Sequence, residues 1–169
     1  IPQYDGVIQR FTPDGVPVDT WSAISEENGC GRYPTDIMIG SDGFIYVADG
    51  QYNCINRFSP DKTLLSTWGG PGPREGQFRY PSGMTIDSED FLYVADGRTH
   101  RIQKFTADGA FVTEWGSEGS LDSQFVYPID ITADGQDNLF VVDKNNYRIQ
   151  KFTREEDGSG GYRYEFAKK

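Results

Sequence analysis

The stretch FLYVADGRTHRIQKF, residues 91–105, decides the fold. Phe91, Leu92, Tyr93 and Val94 form an aromatic and aliphatic run suited to a strand. Asp96-Gly97 interrupts it, and Ile102 and Phe105 fall in a second run bounded by polar residues. The stretch reads as two strands around a tight turn. A single hairpin is not stable in water, so it needs neighbours to cover its apolar faces.

Repetition supplies those neighbours. Pro34, Pro81 and Pro128 stand 47 residues apart, and the same step relates Asp49, Asp96 and Asp143. It also relates Phe11, Phe58, Phe105 and Phe152; Ile8, Ile55, Ile102 and Ile149; and Trp21, Trp68, Trp115 and Tyr162. In the middle copy four strands are predicted, at residues 84–87, 91–95, 101–106 and 110–115. Pro81 precedes the first, where a missing N–H costs little. Short turns at Ser88-Glu89-Asp90 and Ala107-Asp108-Gly109 make consecutive strands antiparallel neighbours, so the unit is a four-stranded meander.

Full units are expected at residues 33–69, 80–116 and 127–166. Residues 1–22 form a half unit holding only strands three and four, at 7–12 and 16–21. Glycine-rich links, 22–33, 69–80 and 116–127, join them. Twisted sheets with two apolar faces bury both by stacking radially, which predicts an all-β fold: about three and a half blades of a β-propeller in one domain. An arc this short leaves blade faces uncovered. The expectation is therefore a segment of a longer propeller, with closure by a second chain as the alternative.

With 169 residues the chain suits one domain, and its 20 glycines and 9 prolines fit many turns. The net charge of −10, from 26 acidic and 16 basic residues, opposes nucleic-acid binding, because the basic residues do not cluster in sequence. No apolar run reaches the length of a membrane helix, and no secretory leader is visible from Ile1 onward. Cys30 and Cys54 are the only cysteines, read either as two free buried thiols or as one disulfide.

The string GFIYVADGQYNCINRF at 43–58, with the stretches at 91–105 and 138–152 (NLFVVDKNNYRIQKF), resembles the NHL repeat. That resemblance implies a propeller, six-bladed in many members, whose first strands line a central channel. It also implies that the links share one face with the loops at 50–53, 97–100 and 144–147. On that face Arg32, Tyr52, Arg79, Arg98, His100, Asn145 and Tyr147 are candidates to contact a protein, peptide or glycan, since aromatic and arginine side chains dominate such contacts. Tyr33, Tyr80 and Tyr127 recur in every unit and are read as packing residues. Asp49, Asp96 and Asp143 recur likewise and are read as turn caps.

Asp36 and Asp130 are equivalent positions whose middle counterpart is Gly83. Two carboxylates with nearby carbonyls could hold a hard cation such as calcium, against the commoner reading of solvated or turn-capping acids. Within the NHL group, residues 30–54 are similar to peptidyl-hydroxyglycine amidating lyases. There a cysteine before Pro-Thr-Asp pairs with one in the loop after the second strand. This implies a Cys30–Cys54 disulfide and an extracellular or periplasmic protein rather than a cytoplasmic one. The zinc histidine that follows the strand-one proline in those lyases is replaced by Thr35, Ser82 and Ile129, and His100 is the sole histidine, so a zinc lyase centre is not expected in this segment. No nucleophile elbow, P-loop or dinucleotide fingerprint occurs. Two readings follow: a non-enzymatic scaffold, or a calcium- or zinc-dependent lyase or lactonase with ligands in further blades.

Overall fold

The computed structural model describes residues 6–156 and 162–167. Its strands follow the repeat. β1 (Val7–Phe11) and β2 (Pro17–Ser22) form a two-stranded sheet. Three antiparallel meanders follow: β3 (Pro34–Ile39), β4 (Ile45–Asp49), β5 (Cys54–Phe58) and β6 (Leu64–Gly69); β7 (Pro81–Ile86), β8 (Leu92–Asp96), β9 (Arg101–Phe105) and β10 (Phe111–Trp115); β11 (Pro128–Ala133), β12 (Leu139–Asp143), β13 (Arg148–Glu156) and β14 (Tyr162–Phe166). The predicted half blade and three full blades are present; residues 1–5 of the half blade and 157–161 of the last unit lie outside the described residues.

The second strands β4 and β8 are seams between neighbouring blades. Every residue of β8 is buried. Leu92 and Val94 point to one side, among Tyr46, Ala48, Ile55 and Phe78, while Tyr93 and Ala95 point to the other, among Phe125, Ile131, Leu139 and Val141. β4 divides the same way, sending Tyr46 and Ala48 forward and Ile45 and Val47 back toward Ala23, Ile8 and Trp21. A strand covered on both faces needs no polar alternate, which explains its continuous apolar run.

The first strands start earlier than predicted, at Pro81 rather than at 84. The cause is a bulge that sequence alone does not show. Pro81 opposes Asp96 and Gly83 opposes Ala95, so Ser82 is skipped; Thr35 and Ile129 are skipped in the same way. The bulge turns the side chain toward the next blade. Thr35 Oγ1 donates to Pro81 O at 2.7 Å, and Ser82 Oγ donates to Pro128 O at 3.0 Å. β3, β7 and β11 are thereby tied side by side.

On the side opposite the links, a polar clasp joins the second and third full blades. Ser88 donates through its N–H and hydroxyl to Asp137 at 2.9 and 2.6 Å, and Arg154 pairs with both Asp137 and Glu89. Beside it Tyr93 donates to Asp87 at 2.7 Å, and Lys104 sits 3.8 Å from the Phe91 ring centre. Burial pushes the Lys104 ammonium pKa down and lifts the Tyr164 hydroxyl to about 12. Burial also pushes the Asp137 carboxyl up, but the Ser88 hydrogen bonds and the Arg154 charge outweigh it and hold the group below its ordinary value. A depressed carboxyl stabilises the fold above the unfolded pKa near 4 and loses that contribution as pH falls through the lower folded value. Asp137→Asn should therefore cost about 1–3 kcal/mol at neutral pH, and urea titrations at descending pH should show the gap to wild type closing below about pH 4.

Candidate binding face

The links and the loops after each second strand are sewn together. Gly97 N donates to Tyr80 O at 3.1 Å, Arg98 N to Arg79 O at 2.9 Å, and Asn145 N to Val126 O at 3.0 Å. Of the recurrent aspartates Asp49 caps its own turn, and all three reach back to the preceding link. Asp49 Oδ1 accepts from Gln51 and Tyr52 in its own turn, while Oδ2 reaches back to accept from Gly31 and Tyr33. Asp96 accepts from Arg79 N, and Asp143 from Val126 N. All three are fully buried.

A second anchor starts at the first residue of each third strand. Arg101 donates to the carbonyls of Pro73, Arg74 and Gln77, and Arg148 donates to those of Ser120, Leu121 and Gln124. The equivalent of these arginines in the first full blade is Cys54, and the equivalent of Gln77 and Gln124 is Cys30. Those two residues form the disulfide, Cα–Cα 6.0 Å. A covalent bond thus closes the first link where guanidinium hydrogen bonds close the next two.

His100 is turned inward. Its Nδ1 accepts the Tyr127 N–H at 3.1 Å, as Asn53 Oδ1 in the preceding blade accepts the Tyr80 N–H at 2.8 Å. Both residues hold left-handed backbone, φ 58° and 59°. Among the other candidates, Arg32, Arg79, Arg98 and Asn145 are exposed, and Tyr52 stacks on Tyr33 with centroids 6.0 Å apart. Arg98 lies 5.3 Å over Tyr80, which in turn stands 6.0 Å from Tyr127. Tyr80 covers Gly50, where a Cβ would come within 3.1 Å of its ring.

Arg32, Tyr33, Gln51 and Tyr80 line an open cavity of about 430 Å³ with Thr35 and Val7. Tyr147, almost fully exposed, borders a separate recess with Lys144 and Ile149 and does not join this group. Gln51, Thr35 and Val7 were not among the sequence candidates; the 47-residue step places Thr35 on a first strand but carries no signal that it faces a cavity.

Asp36 and Asp130 lie on first strands. Asp36 Oδ2 accepts the Met84 N–H at 2.6 Å and Oδ1 its neighbour Ile37 N–H, while Asp130 Oδ1 accepts Ile131 N–H and presses on Gly83. Burial raises the Asp36 pKa, and the Asp130 charge adds to it. Among the described residues no group of three or more His, Cys, Asp or Glu is placed to hold a metal ion. Two backbone amides already occupy the Asp36 oxygens.

Residues 78–105 and 125–152 match the NHL repeat. These are NHL repeats. The equivalent window in the first full blade holds Cys54 in place of the anchoring arginine. No curated protein matches the chain in sequence. Among solved structures the chain is similar to a streptogramin B lyase (20% identity, 97% of this chain and 49% of that one, TM-score 0.66). It is also similar to a catalytically inactive virginiamycin B lyase from Staphylococcus aureus with quinupristin (22%, 96% and 49%, 0.65), and to an auxiliary nutrient binding protein from Bacteroides thetaiotaomicron (18%, 87% and 42%, 0.62). At these identities the likeness is one of fold. The chain spans about half the length of these two lyase structures.

Two substitutions probe the anchors. Cys30→Ser with Cys54→Ser should lose about 2–4 kcal/mol in chemical denaturation, as expected for a loop of this size, whereas Cys30→Gln with Cys54→Arg should recover part of it by rebuilding the arginine anchor. For His100, replacement by Ala strands the Tyr127 N–H and should cost about 1–2 kcal/mol, while His100→Asn, which copies Asn53, should be nearly neutral in the same measurement.

Proposed function

We propose that this NHL-repeat propeller is a non-enzymatic scaffold whose loop-rich face binds a protein or peptide partner carrying acidic groups. One observation supports the reading above others. Arg32, Arg79 and Arg98 are exposed beside the Tyr33, Tyr80 and Tyr127 row, and none has an ion pair among the described residues. In a chain of net charge −10, three exposed arginines on one face with no ion pair among the described residues present a local positive field to a partner. Buried backbone bonds fix the loops beneath them, so little ordering entropy is lost on contact. A glycan bearing carboxylates would meet the same chemistry.

The disulfide supports an oxidising compartment, hence an exported protein. No helix among the described residues is long and apolar enough to cross a membrane. A second reading, a metal-dependent lyase with ligands in further blades, draws on Asp36, Asp130 and the fold-level likeness to lyases; elemental analysis of the full-length protein tests it.

The scaffold reading is tested with a panel of acidic and neutral peptides. Acidic peptides should bind in a salt-sensitive manner, and Arg32→Ala, Arg79→Ala and Arg98→Ala together should weaken binding by about tenfold or more while thermal melting stays unchanged. Equal binding by the triple variant would overturn it.

A further inference from the structure

The first full blade differs from the two that follow in what stands behind its link. Arg101 fills that place in the second blade: its guanidinium donates to the carbonyls of Pro73, Arg74 and Gln77, and Nη1 pairs with Glu114 at 2.6 Å. Arg148 does the same in the third blade, on Ser120, Leu121 and Gln124. In the first full blade Cys54 stands for the arginine and Thr67 for Glu114. A disulfide is shorter than an arginine side chain, and beside Cys54 lies an open cavity of about 270 Å³. Asn28, Tyr52, Thr67 and Trp68 line it with Cys54. The 47-residue step makes Thr67 and Trp68 the counterparts of Glu114 and Trp115, so the cavity opens where the second blade holds its guanidinium and that group's carboxylate partner.

Acceptors that the later blades give to an arginine are left over in the first. The counterparts of the Pro73 and Arg74 carbonyls are those of Glu26 and Glu27, and among the described residues neither accepts a hydrogen bond. The third counterpart, the Cys30 carbonyl, accepts from Asn56 Nδ2 and Ser25 N. Glu26 and Glu27 directly precede Asn28 of the cavity wall; their side chains are exposed and in no ion pair among the described residues. Asp49, by contrast, is occupied by four amides, so it offers a cation nothing more. Two aromatic rings, Tyr52 and Trp68, complete the wall. Aromatic faces beside carbonyls and carboxylates suit a planar cation, which stacks on a ring and donates in its own plane; a compact ammonium cannot do both.

We propose that this cavity is a guanidinium site, which takes an arginine side chain of a partner polypeptide in the place that Arg101 and Arg148 fill from within. The disulfide keeps the link closed without an arginine, and so frees the place for one from outside. The site lies apart from the arginine row on the loop face, and none of Arg32, Arg79 and Arg98 lines it.

The test uses the intact chain with its disulfide formed, and follows the Trp68 indole and Asn28 amide resonances on titration with N-acetyl-arginine amide. Their shifts should saturate with a Kd on the order of 1 mM. The lysine analogue should bind at least about fivefold more weakly, and the neutral citrulline analogue should cause no saturating shift. Free arginine, whose carboxylate meets Glu26 and Glu27, should bind more weakly than the amide. Thr67→Glu, which copies Glu114 and keeps the disulfide, should tighten binding by about threefold. Cys30→Gln with Cys54→Arg, which supplies the chain's own arginine, should abolish it. Equal binding of the citrulline analogue, tighter binding of free arginine than of the amide, no gain from Thr67→Glu, retained binding in the folded double variant, or no shift up to about 50 mM would each overturn the proposal.

Discussion

Two-sided burial of the second strands β4 and β8 is the constraint on which the structure depends. Alternate residues of β8 belong to different cores: Leu92 and Val94 to the one shared with the blade before, Tyr93 and Ala95 to the one shared with the blade after. No blade owns a complete core. The fold is therefore a sum of interfaces, each contributed half by one unit and half by the next, which is the energetic signature of repeat architectures. The 47-residue step must be kept because a slip of one residue would exchange these two sets of side chains.

On this frame the links are held by substitutable anchors. Asp49, Asp96 and Asp143 each take an amide from the link before them, and the position opening the third strand adds either a guanidinium or a sulfur. The chemistry differs while the connected points do not. Hydrogen bonds to three carbonyls act on the folded state, whereas the Cys30–Cys54 bond also restricts the unfolded chain. The loop surface can then diverge, as Gly50-Gln51-Tyr52-Asn53 and Lys144-Asn145-Asn146-Tyr147 do, without loosening its base.

Much of this was legible in the sequence. The equal spacing of Pro34, Pro81 and Pro128 and the apolar run at 91–95 were enough to place the blades and the half blade, because burial on both faces leaves a continuous apolar string. The bulges at Thr35, Ser82 and Ile129 were not legible, since a bulge depends on the pairing register and not on composition. His100 read as a lone surface histidine for a similar reason. Its partner is a backbone amide 27 residues away, and only the alignment of Asn53 with His100 hints that both hold the same place. The alignment of Cys54 with Arg101 and Arg148 was in view, but it acquires meaning only once the carbonyls they face are known.

The left-handed residue in each of these loops has a thermodynamic implication. Asn53, His100 and Tyr147 carry φ values of 59°, 58° and 53°, a conformation that costs a non-glycine residue about 1 kcal/mol or more. Asn53 and His100 offset that cost by accepting an amide from the following link. Tyr147 bears it with its ring in solvent. The last loop is thus held in the geometry of a contact, so an element arriving beside it would meet a backbone whose ordering has already been done.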